Sequence, residues 1–249
     1  MEKGLHISLS ADTLFTLWGF PITNSLITTW VVMAILIVVA LLIRRRVTLV
    51  PGKMQNAIEM LFEYLLGFIE QMLGNRSLAL RYFPLIATIF VFIFTANMLN
   101  FLPIFGTVGI PHDGNLTPLF RPVNADLNVT LALAIIAFLV IELSGVLTLG
   151  VIKYGSKFIN FRDGFIGFAV GLLEVIGNLA RLVSLSFRLF GAIFAGEVLL
   201  LVIGVFVPLI LPVPLMAFEI LIGLLQAAVF AILTTVFIKI AREEPHGAH

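Results

Sequence analysis

Apolar residues fall in five long runs along the chain, separated by shorter polar segments. The runs cover residues 25–43, 82–102, 126–149, 165–207 and 214–240. A helix needs ~20 apolar residues to cross the hydrocarbon of a bilayer, and each run meets or exceeds that length. The pattern predicts an all-α integral membrane protein, with five transmembrane helices in a single membrane domain that covers residues 1–249.

Residues 51–76 follow a different pattern. Three glutamates, Glu59, Glu63 and Glu70, share one stripe of a helix. The other side of the same helix is filled with large apolar side chains, namely Ile58, Leu61, Phe62, Leu65 and Phe68. Such a helix lies along a surface rather than crossing the bilayer. We therefore predict one amphipathic membrane-surface helix.

The composition excludes several classes of function. Hydrophobic residues make up 60% of the chain and charged residues only 12%, which no soluble enzyme could carry. The chain has no cysteine, and its four histidines lie near the ends or in a loop, so we expect no disulfide and no metal site. Phosphate-binding loops and nucleophile elbows are absent from the sequence. We expect no cofactor and no catalytic residue, and the net charge of +1 indicates no nucleic-acid partner.

Basic residues set the expected orientation. Six Lys or Arg lie between Arg44 and Arg81 and three in residues 153–162, whereas the opposite loops hold only Lys3 and Arg121. Loops on the cytoplasmic side carry the excess of basic residues. We therefore predict an outer N-terminal segment at 1–24, an outer loop at 103–125 and a cytoplasmic tail at 241–249. With no transit peptide expected, this pattern favours a bacterial plasma (inner) membrane.

The run at 165–207 is too long for one upright span. As a single helix it would measure ~64 Å, against ~30 Å of hydrocarbon. Either the helix breaks, or it is tilted far beyond the usual ~20°. A strong tilt makes physical sense against a large curved partner, with the last helix accompanying it as a hairpin.

Arg188 is the charged residue placed deepest in a predicted span. More than a dozen helical residues lie on each side of it, so its guanidinium cannot easily reach either membrane surface. Arg181, seven residues earlier, lies closer to the cytoplasm and can snorkel there. Arg188 has two interpretations: a structural ion pair with a carboxylate of this chain, or a fixed charge on an ion path.

Helix geometry places the other polar residues in two sets. Glu197 lies on the face opposite Arg188 and nearer the outer side, where Glu219, Gln226 and Asp126 are also expected. On the cytoplasmic side, Glu174 shares the face of Arg188, and Glu142 lies deep in the third span. The pattern indicates two half-paths, one opening outward and one inward, with Arg188 at the level where they meet.

Each of these carboxylates has a structural alternative. Asp126 could act only as the N-cap of the third span. Glu142 could pair with a Lys or Arg near the cytoplasmic face. Glu197 and Glu219 could share a proton as a purely structural pair.

Four segments resemble one known family. SLSFRLFGAIFAGEVLL (184–200) closely resembles the signature around the essential arginine of the a subunit of F-type ATP synthases. Three further segments agree in order and spacing: TANMLNFLP (95–103), ADLNVTLALA (125–134) and AFEILIGLLQAAVFAILTTVFI (217–238). The first motif is highly specific, and the resemblance covers nearly the whole chain.

This resemblance implies a fold and a set of partners. The fold is five crossing helices plus a membrane-surface helix, the last two crossings forming a long, strongly tilted hairpin against a ring of c subunits. The expected partners are that c ring, the peripheral-stalk b subunits, the F1 sector indirectly, and membrane lipid. Two offset half-channels would pass protons to and from the ring carboxylates. ATP would be made or hydrolysed on other chains, so this subunit itself would be non-catalytic.

The resemblance also implies roles for individual residues. Arg188 takes the place of the essential arginine, and Glu197 that of the glutamate in the AGE motif. Glu219 stands where relatives carry a histidine or a carboxylate, and Gln226 at the glutamine two turns later. Glu174 matches a glutamate attributed to the cytoplasmic exit path.

Some points stay open. Asp126 sits at the polar outer end of the third span, and Ala192 stands where many relatives have Asn. The coupling ion, H+ or Na+, depends largely on the ring. The competing interpretation is a self-contained secondary transporter or ion channel that uses Arg188 as a binding or gating charge. Such proteins usually show internal repeats, and this sequence shows none.

Overall fold

The chain is almost entirely helical in a computed structural model that describes residues 11–17, 19–48, 51–101, 109–112, 115–158, 164–206 and 210–243. The helices in chain order are α1 (Asn24–Arg46), α2 (Lys53–Leu73), α3 (Arg76–Leu99), α4 (Leu127–Leu149), α5 (Val151–Gly155), α6 (Gly164–Phe206) and α7 (Pro212–Arg242). A 3-10 turn at Val123–Ala125 precedes α4.

Five of the described helices are long and apolar enough to cross a membrane: α1, α3, α4, α6 and α7. This confirms the predicted all-α integral membrane fold with five crossings. Helix α1 shows how polar and apolar side chains are distributed in such a fold. Its buried residues include Asn24, Ser25 and Thr28, whereas Ile37 and Val38 are more than half exposed. Apolar side chains on the outside and polar ones inside are what a lipid environment stabilises.

The long helix α6 does not break. It runs without interruption for 43 residues from Gly164 to Phe206, about 64 Å at 1.5 Å per residue. Of the two alternatives that its length raises, the structure excludes the break. The strong tilt therefore stays as the prediction, since an unbroken helix of this length exceeds the hydrocarbon thickness of ~30 Å.

Several boundaries differ from the prediction. Helix α3 begins at Arg76, six residues before the apolar run, because Gly74 ends α2 in the left-handed conformation and the Asn75 side chain accepts hydrogen bonds from Ser77 N and Leu78 N. Such an N-cap satisfies backbone donors that the new helix leaves free. The segment after α4, which lies outside the predicted spans, begins with the short helix α5.

The segments before α1 and between α3 and α4 contain two antiparallel hairpins that the sequence pattern did not indicate. One pairs β1 (Thr13–Leu17) with β2 (Phe20–Thr23), and Gly19 in its turn has φ +85°. The other pairs β3 (Gly109–His112) with β4 (Asn115–Pro118). Four strands of four or five residues each are too short to show a clear alternation in sequence.

Helices α3, α4, α6 and α7 pack around a shared core, with α1 against α3 and α2 against α3 and α7. We call the end with Asp126 and the start of α7 the outer end, and the opposite end the cytoplasmic end, after the orientation that the charge pattern predicts. The middle of the bundle is filled by a set of buried apolar residues, here named the central apolar cluster: Ile89, Ile93, Ala125, Ala134, Ala137, Leu185, Leu189, Ile193, Ala227 and Phe230.

Helix α2 forms where the amphipathic segment was predicted. Glu59 and Glu63 are exposed, and Ile69 is its buried residue among those described. Phe62 meets Phe83 of α3 edge-on, with ring centroids 5.9 Å apart. The apolar side thus packs on the bundle while the acidic stripe points away, and the location of α2 at the membrane surface stays a prediction.

Candidate functional site

Glu197 and Glu219 meet in the outer half of the bundle, where α6 crosses α7. Gly196 makes their approach possible, because a Cβ at that position would lie 2.7 Å from Glu219 Oε1. Glu219 is only 8% exposed, and the two carboxylates are close enough for their charges to interact. The structure therefore brings together two of the residues that the sequence placed in the outer set.

One oxygen of each of these two carboxyl groups has no hydrogen-bond partner among the described residues. Glu197 Oε2 and Glu219 Oε2 are buried and form no hydrogen bond within the described part of the chain. A buried polar atom without a partner costs about 1–3 kcal/mol. Each of these two oxygens is therefore an acceptor at which a water molecule or a proton could be held, and the structural pair stays the alternative interpretation.

Arg121 supplies a positive charge to the same region, and sequence reasoning did not single it out. Its side chain is buried, and it lies within electrostatic reach of Glu197. Its backbone N donates a hydrogen bond to Thr28 Oγ1 at 3.3 Å, which ties the segment before α4 to α1. The outer site thus holds a buried cation beside two carboxyl groups.

A buried asparagine pair fixes the height of α7 beside this site. Asn97 of α3 donates from Nδ2 to Gly223 O at 2.9 Å and accepts from Asn124 Nδ2 at 2.7 Å. Gly223 lies four residues after Glu219 and three before Gln226. Asn97 therefore anchors the stretch of α7 that carries both residues. Gln226 itself is half-buried.

Asp126 is the N-cap of α4, as one of its two interpretations predicted. Its Oδ1 accepts a hydrogen bond from Asn128 N at 2.9 Å, and its Oδ2 accepts one from Ser25 Oγ. The side chain is 4% exposed. This carboxylate thus caps α4 and links it to α1. Its part in proton transfer stays a prediction.

Arg188 lies on the exposed side of α6, between Leu185 and Leu189 of the central apolar cluster in sequence. Its side chain is exposed, and its described contact is Nη2 to Ser184 Oγ at 3.5 Å. No carboxylate in the described ranges lies within 4.0 Å of its guanidinium. The internal ion pair that the structural interpretation needs is therefore not formed by these residues.

An open groove of about 270 Å³ runs beside Arg188. It continues past Ser184 and Arg181 toward the cytoplasmic end and is bordered on α7 by Leu233 and Phe237. Both arginines face this groove, one turn of helix away from Ser184 in either direction. The side of α6 that borders the groove thus carries two positive charges: Arg181, which packs over the Phe237 ring, and the exposed Arg188.

The cytoplasmic set gathers around Glu142. Tyr154 OH donates to Glu142 Oε2 at 2.7 Å, and Asn178 Nδ2 donates to Oε1 at 3.1 Å. Beside them, Arg181 and Glu174 form an ion pair with an N–O distance of 3.8 Å, both side chains about one third exposed. Glu142 pairs here with a phenol and an amide, rather than with the Lys or Arg of its structural alternative.

Tyr154 reaches Glu142 because the chain folds back after α4. Its ring lies over Gly145, where a Cβ would come within 2.3 Å of Tyr154 Cε2. Burial, followed by the hydrogen bond and charge of Glu142, raises the pKa of Tyr154 above its ordinary value of 10.0. The phenol therefore keeps its proton at any physiological pH and acts as a donor.

Lys157 closes this end of the bundle. Its Nζ donates to the carbonyl oxygens of Ala241 at 3.3 Å and Glu243 at 2.8 Å, at the C-terminal end of α7. Burial lowers the pKa of Lys157, and the nearby charge of Glu174 opposes that effect. The contact joins the segment after α5 to the end of α7.

Among the residues that the structure describes, an apolar layer separates the two polar sets. Leu185, Leu189 and Ile193 of α6 belong to the central apolar cluster and lie on the inner face at the level of Arg188. A proton passing directly from the outer set to the cytoplasmic set would have to cross this packed layer. The arrangement fits two separate half-paths, not a continuous pore.

Sequence reasoning missed Tyr154, Asn178, Asn97 and Arg121. Asn178 had a usable signal, since it lies one turn after Glu174 and one turn before Arg181 on the same stripe. Asn97 belongs to a motif that the resemblance had already noted. Tyr154 and Arg121 had none, because their partners come from distant parts of the chain.

Comparison with known proteins gives a consistent result. The sequence model of the family described as ATP synthase A chain matches residues 26–239. ATP synthase subunit a 2 of Syntrophotalea carbinolica is 37% identical over 97% of this chain and 94% of its own length. ATP synthase subunit a of Moorella thermoacetica is 32% identical over 90% and 93% of the two chains. A protein of Propionigenium modestum named ATP synthase subunit a, sodium ion specific, is 33% identical over 89% and 75%.

Proposed function

The chain belongs to the ATP synthase A chain family and is a multipass protein of the bacterial membrane, and from this premise we propose that it is the stator of the Fo motor. In this role it passes protons through two offset half-paths to and from carboxylates on a rotating c ring. Ion flow is thereby coupled to ATP synthesis or hydrolysis on other chains.

The outward path uses the site where α6 crosses α7. A proton enters past Asp126, is exchanged by Glu197 and Glu219, and passes Gln226 on the way to a ring carboxylate. The unpartnered, buried oxygens of Glu197 and Glu219 support this step, because they are free to bind water or a proton. The neutralised ring carboxylate then moves into lipid, where a charged one would be costly.

The inward path uses the groups near the cytoplasmic end. After a near-complete turn, the ring carboxylate loses its proton toward Glu174 and Glu142. The open groove that links Arg188 with Arg181 supports this direction of release, since it leads from the ring-facing side of α6 to the Glu174–Arg181 pair.

The position of Arg188 is the observation that carries the proposal. It is an exposed guanidinium without a carboxylate partner in the described residues, on an unbroken helix, level with an apolar layer between two polar sets. A guanidinium stays protonated at any accessible pH. It attracts a deprotonated ring carboxylate and repels a passing cation, so a direct leak of protons, worth ~2.3 kcal/mol per charge per 100 mV, is prevented.

The assembly that this role requires has several parts. The exposed side of α6 and α7 would face the c ring, and the peripheral-stalk b subunits would hold the chain against the torque of the ring. The N-terminus would lie outside and the C-terminus in the cytoplasm. The 43-residue length of α6 supports a strongly tilted hairpin with α7, which could follow the curved side of such a ring.

The proton is the proposed coupling ion. One relative carries the words sodium ion specific in its name, although the ring's own carboxylate site largely decides the choice. ATP-driven acidification of inverted vesicles that persists without added Na+ would support the proton. Acidification that needs Na+ would replace the proton by sodium and leave the stator role intact.

The main test is Arg188→Ala in the assembled complex, measured in inverted membrane vesicles. We expect ATP-driven proton pumping to be lost, while the passive proton leak is preserved or increased. Arg44→Ala, at the exposed end of α1, is the matched control and should pump normally. Normal pumping by Arg188→Ala would overturn the proposal.

A further inference from the structure

Glu142 is held by hydrogen bonds on both of its carboxylate oxygens, one from each of two separate elements. Tyr154 of α5 donates to Oε2 at 2.7 Å, and Asn178 of α6 donates to Oε1 at 3.1 Å. The two donors lie 12 and 36 residues away from Glu142 in sequence. Holding a carboxylate in this way fixes its position between α4 and α6, since each bond restricts a different direction of movement.

Asn178 has a second feature that points to a bound molecule. Its side chain is 6% exposed, and its Oδ1 is buried without a hydrogen-bond donor among the described residues. The amide cannot simply be reversed, because its oxygen would then face the Glu142 carboxylate at 3.1 Å and two acceptors would oppose each other. The acceptor is therefore open to a donor that is not among the described residues.

A small cavity lies beside these groups. Glu142, Asn178 and Arg181 line it together with apolar residues, among them Ala134, Ile141 and Leu185. About 10 Å³ of it is open to the centre of a water molecule, at the lower limit for holding one water. A buried water needs two to four polar partners, and the three polar side chains supply that number.

We propose that this cavity binds one water between Asn178, Glu142 and Arg181, and that Tyr154 and Asn178 are the positioning residues of the inward path. The inference rests on the proposed function, because it concerns the residues that would serve its inward path. Tyr154 and Asn178 hold the Glu142 carboxylate against the water. The water donates to Asn178 Oδ1 and Glu142 and accepts from Arg181, whose guanidinium also orients Glu174.

The consequence is a short hydrogen-bonded chain that leads from the groove beside Arg188 to Glu142. Arg181 borders both the groove and the water cavity. Tyr154 keeps its proton and the guanidinium of Arg181 stays protonated, so neither can accept a proton from Glu142. The proposed water is therefore the group that exchanges protons with Glu142.

The experiment uses inverted vesicles that contain the complete synthase, with ATP-driven pumping, passive proton flux after removal of F1, and the amount of assembled complex as readouts. Tyr154→Phe keeps the ring over Gly145, and Asn178→Leu keeps the volume. Each should lower pumping and passive flux about ten-fold, the effect of losing one hydrogen bond to a charged group, with assembly unchanged. Tyr82→Phe is the matched control, since Tyr82 OH binds Arg242 rather than Glu142.

A double-mutant comparison separates positioning from general stability. In a Glu142→Gln background, adding Tyr154→Phe or Asn178→Leu should change the flux less than about two-fold, because both act through Glu142. Two outcomes would overturn this inference but leave the proposed function intact. One is that the effects of the two substitutions on flux are fully additive in the double variant. The other is that both single variants have unchanged flux while Glu142→Gln lowers it. Normal flux in Glu142→Gln would instead remove Glu142 from the proposed inward path.

A density map of the assembled complex at a resolution that shows waters tests the ligand directly. One water within hydrogen-bond distance of Asn178 Oδ1 and Glu142 is expected in the unaltered protein, and none in Asn178→Leu. A dry cavity in the unaltered protein would overturn the water site.

Discussion

The carboxyl group of Glu219 on α7 occupies the space into which a Cβ at Gly196 on α6 would project. A Cβ at position 196 would lie 2.7 Å from Glu219 Oε1, 2.9 Å from Cδ and 3.2 Å from Cγ. The glycine before Glu197 therefore leaves room for the carboxyl group of Glu219 on the neighbouring helix. Glycine costs about 1 kcal/mol in a helix interior relative to alanine, so a packing reason of this kind accounts for its presence.

We expect Gly196→Ala to push Glu219 away from Glu197 and to lower ATP-driven proton pumping by about ten-fold, since misplacement of a proton-transfer group by 1 Å is costly. Gly204→Ala on the same helix is the matched control, because a Cβ there meets nothing within 4 Å. Combining Gly196→Ala with Glu219→Asp, which shortens the side chain, should restore part of the activity. Normal pumping by Gly196→Ala would contradict the packing argument.

Asn97→Ala should destabilise the bundle by about 1–3 kcal/mol, because it leaves Gly223 O and Asn124 Nδ2 buried without their partners. Pumping should also decline, as the anchored part of α7 carries Glu219 and Gln226. The thermal midpoint of the purified complex measures the first effect and vesicle pumping the second. Asn128→Ala, at an exposed position of α4, should change neither.

Asp126 caps α4 and is also a proposed proton carrier, and two substitutions separate these roles. Asp126→Asn keeps an N-cap acceptor but cannot carry a proton, so we expect normal assembly with reduced pumping. Asp126→Ala also removes the cap and the link to Ser25, and should cost about 1 kcal/mol more in stability. Assembly is measured by the yield of intact complex. If Asp126→Asn pumps like the unaltered protein, Asp126 serves only as a cap.

Tyr154 should titrate above an ordinary tyrosine. Its pKa is raised by burial and by Glu142, so the folded state keeps the proton at a pH where the unfolded chain has lost it. The stability that this provides is present below the unfolded value of 10.0 and is lost as the pH rises above it. Tyrosinate absorption of the unaltered complex minus that of Tyr154→Phe should show no ionisation near pH ~10.

The control for this titration is Glu142→Gln, which removes the carboxylate that accepts the hydrogen bond of Tyr154 OH and whose charge helps to raise its pKa. In that background, the Tyr154 difference spectrum should ionise at a lower pH than in the unaltered complex. An unchanged titration would show that Glu142 does not raise the pKa of Tyr154.

The long helices and the faces of α6 could be predicted because both follow from local periodicity. The angle of 100° per residue puts Arg188 and Glu197 on opposite faces, and the structure has the first exposed and the second half-buried. The relative positions of residues within one helix or one apolar run can be predicted without knowledge of the tertiary fold.

The partners of those residues could not be predicted in the same way. Tyr154 meets Glu142 only because α5 folds back over Gly145, and Asn97 meets Gly223 across 126 positions of sequence. The hairpin at Thr13–Thr23 depends on a turn with positive φ at Gly19 that the apolar pattern does not reveal. Such contacts are decided by packing between elements, which periodicity does not describe.

Because α6 is uninterrupted, it fixes the distance and the angle between the residues of the two polar sets that it carries. Glu174 and Glu197 are 23 residues apart on it, about 35 Å along the axis. Inserting or deleting one residue between Arg188 and Gly196 would turn Glu197 by about 100° away from α7, and no loop in between could absorb the change. The length of this stretch is therefore fixed by the contact between α6 and α7.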